Sequence, residues 1–206
     1  MKKYWFLYRK DKEQILSEEN DMKIDMITRK LYFGFPVILI GYKDKKWGYN
    51  VTTGSSSYSL GRTITIGLVA ENNAAKNIKE YKEFTINIPY RDILEKVEVA
   101  GFNSGEDKLE IADISYSMAK HIDAPILDEC VLSLECRVAS IIEYEGYANI
   151  IGSIERRVIS KELVDANGNL KYDEFNPVYF LGDDEKRKYR FFSDESKELG
   201  DYIKGK

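Results

Sequence analysis

Apolar and polar positions divide this chain into short extended runs separated by turn signals. PVILIGYK at 36–43 is a continuous apolar run, DKK reads as a turn, and WGYNVTTG resumes an extended pattern, together predicting a hairpin. TITIGLVA at 63–70 predicts another strand rich in β-branched residues. Behind Asn72 and Asn73, either of which can cap a helix, Ala74, Ala75, Ile78 and Tyr81 fall at helical spacing. TINIP at 85–89 returns to strand, and YRDILEKVEVAG at 90–101 reads as a short helix closed by glycine. The clearest strand is CVLSLECRVASIIE at 130–143. Its alternation puts Cys130, Leu132, Leu134, Cys136, Val138 and Ile142 on one face and Ser133, Glu135, Arg137 and Glu143 on the other. A turn at Gly146 and the run to residue 159 supply its partner, predicting a long antiparallel hairpin over 130–159. Such alternation argues for an antiparallel sheet or barrel with one buried face rather than a doubly wound parallel sheet.

One stretch breaks the pattern. NVTTGSSSYS at 50–59 carries hydroxyls on both faces of any regular strand, so neither face suits a dry core. It reads either as a solvated edge strand or loop, or as a wall of small donors and acceptors gripping a polar, planar or phosphorylated ligand. Lys76, in the first turn of the predicted helix, leans toward the second reading. A cation there is disfavoured by ~0.3–1 kcal/mol unless an anion is bound nearby.

Composition narrows the alternatives. With 206 residues, the chain can bury one sizeable core, taken as a domain over 23–206 behind a charged extension at 1–22. A net charge of −4 with both signs interleaved argues against a nucleic-acid partner, and 15 Tyr with 9 Phe favour β structure. Cys130 and Cys136 are too far apart within one strand to pair and read as buried thiols. One histidine and two cysteines are too few for a zinc or iron–sulfur site. His121 reads as a surface or packing residue, GSSS at 54–57 lacks the Gly-Lys-Ser/Thr of a phosphate loop, and DANGNLKYDEFN at 165–176 misplaces the glycine of a calcium loop. The five-residue apolar run YWFLY is too short for a signal peptide, and no stretch reaches membrane-spanning length, so a cytoplasmic protein without a membrane partner is expected.

The order of segments carries a resemblance. PVILIGYKD, then N-x-x-T-x-S, a polar A-K-N-I helix leading to EFTINIP, AGFNSGEDK, APILDECVLSLEC and NPVYFLGDDEKRKYR together resemble the flavin reductase-like, FMN-binding split-barrel family, in its flavoredoxin-type branch, over roughly residues 27–192. That resemblance implies a fold that is mainly β with α, a six-stranded antiparallel split β-barrel with short helices. It implies a homodimer binding FMN near the subunit interface, with NAD(P)H or a protein as electron donor and a small molecule or protein as redox partner. Carried over by position, Asn50, Thr53, Ser55 and Ser56 lie in the flavin-facing strand, with Ser59 and Leu60 following along the ring. Asn72, Asn73 and Ala74 stand where the family often has R-S-T meeting the phosphate, and Asn103 and Ser104 lie near the same cleft. The loss of that arginine and threonine leaves Lys76, Arg62 or main-chain N–H groups to hold a phosphate. Tyr147 replaces the histidine of many reductases, which sets two alternatives beside an oxidoreductase: an electron carrier without nucleotide-dependent turnover, and a scaffold that has lost its ligand. No catalytic residue is assigned.

Overall fold

The computed structural model describes residues 25–193, 195–199 and 201–203. The expected extension at 1–22 lies outside the described residues. The chain begins with strands β1 (Tyr32–Pro36), β2 (Ile38–Asp44), β3 (Gly48–Gly54), β4 (Ser57–Leu60) and β5 (Thr63–Val69). Helix α1 (Asn73–Tyr81) and β6 (Glu83–Ile88) follow, then a 3-10 turn running into α2 (Leu94–Phe102) and the short α3 (Lys108–Ile111). Strands β7 (Tyr116–Met118) and β8 (Pro125–Leu127) precede the long pair β9 (Leu132–Tyr144) and β10 (Tyr147–Ile159), and β11 (Tyr179–Gly182) and β12 (Arg187–Arg190) close the fold.

The fold is mainly antiparallel β with few helices, as expected, but the main sheet has seven strands in the order β3-β2-β6-β9-β10-β5-β4 rather than six. The additional strand arises from the hydroxyl run, which does not stay straight: it leaves β3 at Gly54, bends through Ser55 and Ser56, and re-enters as β4. β3 and β4, consecutive in the chain, thereby become opposite edges of one sheet, and the bend between them is tied to β5 where the Gly67 N–H donates to the Ser56 carbonyl at 2.8 Å. A smaller sheet, β1-β11-β12, packs Phe180 and Tyr189 against a second core of Val37, Leu39, Val51, Val97 and Leu109. The main core gathers Ile38, Ile40, Ile64, Ile66, Phe84, Ile86, Ile150 and the helix residues Ala74, Ala75 and Ile78.

The β9–β10 hairpin forms as predicted, with two corrections. Its register shifts so that Ile151 pairs with Ser140 and Gly152 with Val138, leaving Ala139 as a bulge. A bulge flips the phase of every residue beyond it, so Ile141 packs against the core while Ile142, expected inside, is 56% exposed. Nor is the other face wholly wet, because Ser133 and Glu135 are buried beneath neighbouring segments. Ser133 Oγ donates to Asn87 Oδ1 (2.7 Å). Glu135 accepts from the Lys120 and His121 N–H groups and from Arg156 Nη1 (3.2, 2.8 and 2.9 Å).

Cys130 and Cys136 are free, buried thiols. Among the described residues no group of acidic, histidine and cysteine side chains could hold a metal ion, and no helix is long and apolar enough to cross a membrane.

Candidate functional site

A cavity of about 140 Å3 opens between β3, the N-terminus of α1 and the segment joining α2 to α3. Each wall has a local cause. Asn72 caps α1 by accepting the Ala75 N–H at Oδ1 (2.7 Å), which satisfies one of the four free donors of a helix start. The N–H groups of Asn73 and Ala74, in the same turn, have no intrahelical acceptor, and both residues line the cavity. Ala74 itself packs into the main core.

Asn73 does not reach freely into the cavity. Its amide donates to Asp44 Oδ2 (2.5 Å) and to the Tyr42 hydroxyl (3.3 Å), and its Oδ1 accepts from Asn77 (3.1 Å). These bonds pin the first turn of α1 to the β2–β3 turn. Tyr42 is raised above the ordinary phenol range, first by burial and further by the Asp44 charge, against the opposing Asn73 bond.

On the opposite wall, β3 presents Asn50 and Thr52. Asn50 is engaged at both amide atoms: Oδ1 accepts the Val51 and Lys108 N–H groups (2.8 and 3.1 Å), and Nδ2 donates to the Glu106 carbonyl (3.0 Å). It fixes the loop Asn103, Ser104, Gly105, Glu106, all four of which line the cavity. Gly105 turns that loop at φ +80°. Gly101 lets α2 sit close on β3, since a Cβ there would meet Thr53 Cβ at 3.3 Å. Lys108, which no sequence pattern singles out as a site residue, opens α3 behind its Asp107 cap. The residue is 9% exposed; its ammonium donates only to Thr52 Oγ1 (3.3 Å) and has no carboxylate partner among the described residues. Burial alone lowers its pKa from the ordinary 10.5. The one signal for it in the sequence is its place as the closing lysine of AGFNSGEDK.

Of the residues expected in the site, Asn50, Asn72, Asn73, Ala74, Asn103 and Ser104 come together around this cavity. Thr53 faces away, donating to the Val97 carbonyl at 2.6 Å. Ser55 and Ser56 form the bend, Ser59 and Leu60 lie on edge strand β4, and Arg62 sits in the exposed β4–β5 turn, none of them lining the cavity. Lys76 pairs with Glu71 at 3.0 Å instead of reaching it.

An enclosed cation opposite free helix N–H groups suits an oxyanion such as a phosphate ester. Ligand pockets commonly span ~300–1,000 Å3, so this cavity accommodates one polar end of a cofactor, the remainder lying along its open side. The sequence matches the family model for the flavin reductase like domain over residues 31–175. The chain belongs to the flavin reductase-like family. Flavoredoxin of Desulfovibrio vulgaris (Miyazaki F) shares this family member's fold with a TM-score of 0.79 at 23% identity, over 89% of this chain and 100% of that one. An FMN-binding protein from Thermus thermophilus, solved with bound 1-cyclohex-2-enone, gives a TM-score of 0.71 at 12% identity, over 87% of this chain and 99% of that one. An uncharacterised protein from Pyrococcus abyssi is 24% identical over 111 residues, covering 53% of this chain and 64% of the relative, less than two thirds of its length.

Proposed function

We propose that this flavin reductase-like chain is an FMN-binding flavoprotein that passes electrons from NAD(P)H or a protein donor to an acceptor. The observation that carries the reading is Lys108, a buried ammonium with one weak neutral partner, lining the same cavity as the first residues of α1. The names of the fold neighbours, an FMN-binding protein and a flavoredoxin, support it. In this reading Lys108 and the Asn73 and Ala74 N–H groups hold the phosphate. Asn50 fixes the loop beside it, and Asn103 and Ser104 supply polar groups at the mouth. Bound FMN supplies the hydride and one-electron chemistry, which the isoalloxazine performs without a protein acid or base. The chain's part is to bind, orient and exclude water.

A second copy of the chain is the expected partner. The outer face of β4, β5, β10 and β9 carries Tyr58, Leu60, Val69, Tyr147, Ile142 and Tyr144, all substantially exposed. Among Thr63, Thr65, Asn149, Ile151 and Ser153 between them there is no charge. An exposed apolar patch of that kind marks an association surface. Tyr147 belongs to this face, since its neighbours Ala148 and Ile150 point into the core. Its removal from the cavity favours a second reading, a carrier without nucleotide-dependent turnover.

Purified protein titrated with FMN should quench the flavin's fluorescence with saturable, stoichiometric binding. No quenching and no thermal shift at high FMN would overturn the assignment. Anaerobic mixing with NADH or NADPH separates the two readings: rapid bleaching of bound flavin marks the reductase, and persistence of its colour the carrier.

A further inference from the structure

Asp44 lies at the end of β2, 3% exposed, and every partner it has is a donor. Oδ1 accepts the Lys46 and Trp47 N–H groups (2.8 and 3.1 Å), and Oδ2 accepts the side-chain amides of Asn73 and Asn77 (2.5 and 3.4 Å). Four donors and no acceptor are what a carboxylate requires. No lysine, arginine or histidine pairs with it among the described residues. The carboxylate is thus held by dipoles alone, against the first turn of α1, bonded to Asn73, which lines the cavity. Asn77 completes the arrangement by donating to Asn73 Oδ1 and accepting the Lys45 N–H (3.1 and 3.0 Å).

A fixed negative charge at that place acts on anything bound in front of it. The N-terminus of α1 carries a positive field that a ligand anion would use, and Asp44 draws on that field from behind. Glu106 lines the same cavity, and the one cation enclosed with it is Lys108. Fields between charges enclosed by protein are screened far less than those across water.

We propose that Asp44 sets the charge selectivity of the cavity, its buried carboxylate behind Asn73 restraining the preference for a phosphorylated flavin over the same flavin without its phosphate. The inference rests on the FMN reading above and adds a residue that touches no ligand, a positioning and tuning residue acting through α1. Asp44→Asn removes the charge while keeping an oxygen for the Lys46 and Trp47 N–H groups. Turning the Asn73 amide offers the new NH2 group an acceptor, at the cost of the bond that Asn73 Oδ1 accepts from Asn77 Nδ2.

Dissociation constants for FMN and riboflavin, measured by fluorescence quenching on wild type and Asp44→Asn, give the test. Loosening of α1, whose N–H groups hold the phosphate in this reading, would lower the ratio of FMN affinity to riboflavin affinity; loss of the charge raises it. The expected result is a several-fold rise in the ratio of FMN affinity to riboflavin affinity, whatever happens to the absolute values. A ratio that is unchanged or falls overturns the proposal. Failure of wild type to bind either ligand would instead defeat the FMN assignment itself, so the two failures are distinct. If Asp44→Asn does not fold, Asp44→Ser takes its place, since a serine hydroxyl can accept the same turn N–H groups. A raised ratio in that variant supports the proposal, and an unchanged or lowered one overturns it.

Discussion

Replacing Lys108 by methionine separates a ligand-binding lysine from a structural one, because the two roles predict opposite signs. The residue is 9% exposed, and its ammonium has one 3.3 Å bond to a neutral hydroxyl. Enclosing a charge with so little compensation costs stability. Methionine matches the stem's length, preserves helix propensity and keeps the main-chain bond to Asn50, so the folded state should be unchanged or more stable by up to ~2 kcal/mol. Binding should move the other way. A hydrogen bond between charged groups contributes ~1.5–3 kcal/mol, and each ~1.4 kcal/mol is a factor of about ten in affinity. FMN should therefore bind roughly ten- to a hundredfold more weakly, with riboflavin little affected. The pH dependence gives a second readout. Burial lowers the Lys108 pKa from 10.5 in the folded chain, so the unfolded chain binds more protons in the window between the lowered value and 10.5, and wild-type stability rises with pH there. Lys108→Met should lose that increment. Urea unfolding across alkaline pH and fluorescence titration of both flavins measure these effects. A variant destabilised by more than ~2 kcal/mol that keeps its FMN affinity would make Lys108 a structural residue and remove it from the binding site.

Other substitutions probe the fold around the site. Burial pushes both Cys130 and Cys136 up to about 12, so neither should react with a disulfide reagent at pH 8 in the folded protein, and both should after denaturation. On Glu135, burial is the largest influence and raises its pKa, but the His121 and Lys120 N–H groups and Arg156 together outweigh it and hold the carboxyl below its ordinary 4.5. Its contribution is present above that value and lost as pH falls through the lowered one. Glu135→Gln should cost ~1–3 kcal/mol at neutral pH and flatten that acid limb in urea titrations. Ile142→Arg, on the outer face, should convert the proposed dimer to a monomer in sedimentation without lowering the melting temperature of the monomeric fold. An unchanged mass would move the interface elsewhere.

Strands β2, β3, β5 and β6, helix α1 with a cap at Asn72 or Asn73 and the long hairpin were legible because each rests on local periodicity and capping chemistry, whereas β1, β7, β8, β11 and β12 were not read. The failures are tertiary. Ala139 gives no sequence sign of a bulge, yet it moves Ile142 outward and Ile141 inward. Glu135 has the profile of a solvated strand residue until the loop carrying Lys120 and His121 covers it. In the hydroxyl run, alternation could not say where the chain bends, nor that the Thr53 hydroxyl is spent on the Val97 carbonyl of α2. Lys108 was legible only as the closing lysine of AGFNSGEDK, because its burial comes from packing α3 against β3, more than fifty positions earlier in the chain.

The departures at Asn72 and Ala74 and the burial of Lys108 form one arrangement. Where the resembling family often places a charge and a hydroxyl at the head of this helix, here Asn72 is turned inward as a cap and Ala74 packs into the main core. The cation that lines the cavity is on the opposite wall, at Lys108. A charge restored at the helix head should share its work. Asn72→Arg introduced into Lys108→Met should recover part of the lost FMN affinity with little effect on riboflavin. The lost cap should cost ~1 kcal/mol of stability, partly offset by relief of the buried ammonium. In the wild-type background the same arginine should also tighten FMN. Each effect is read from the FMN-to-riboflavin affinity ratio, and the melting temperature reports the lost cap. Absence of recovery in the double variant, with tightening in the single one, would mean that Lys108 and the head of α1 serve different parts of a ligand and not one phosphate.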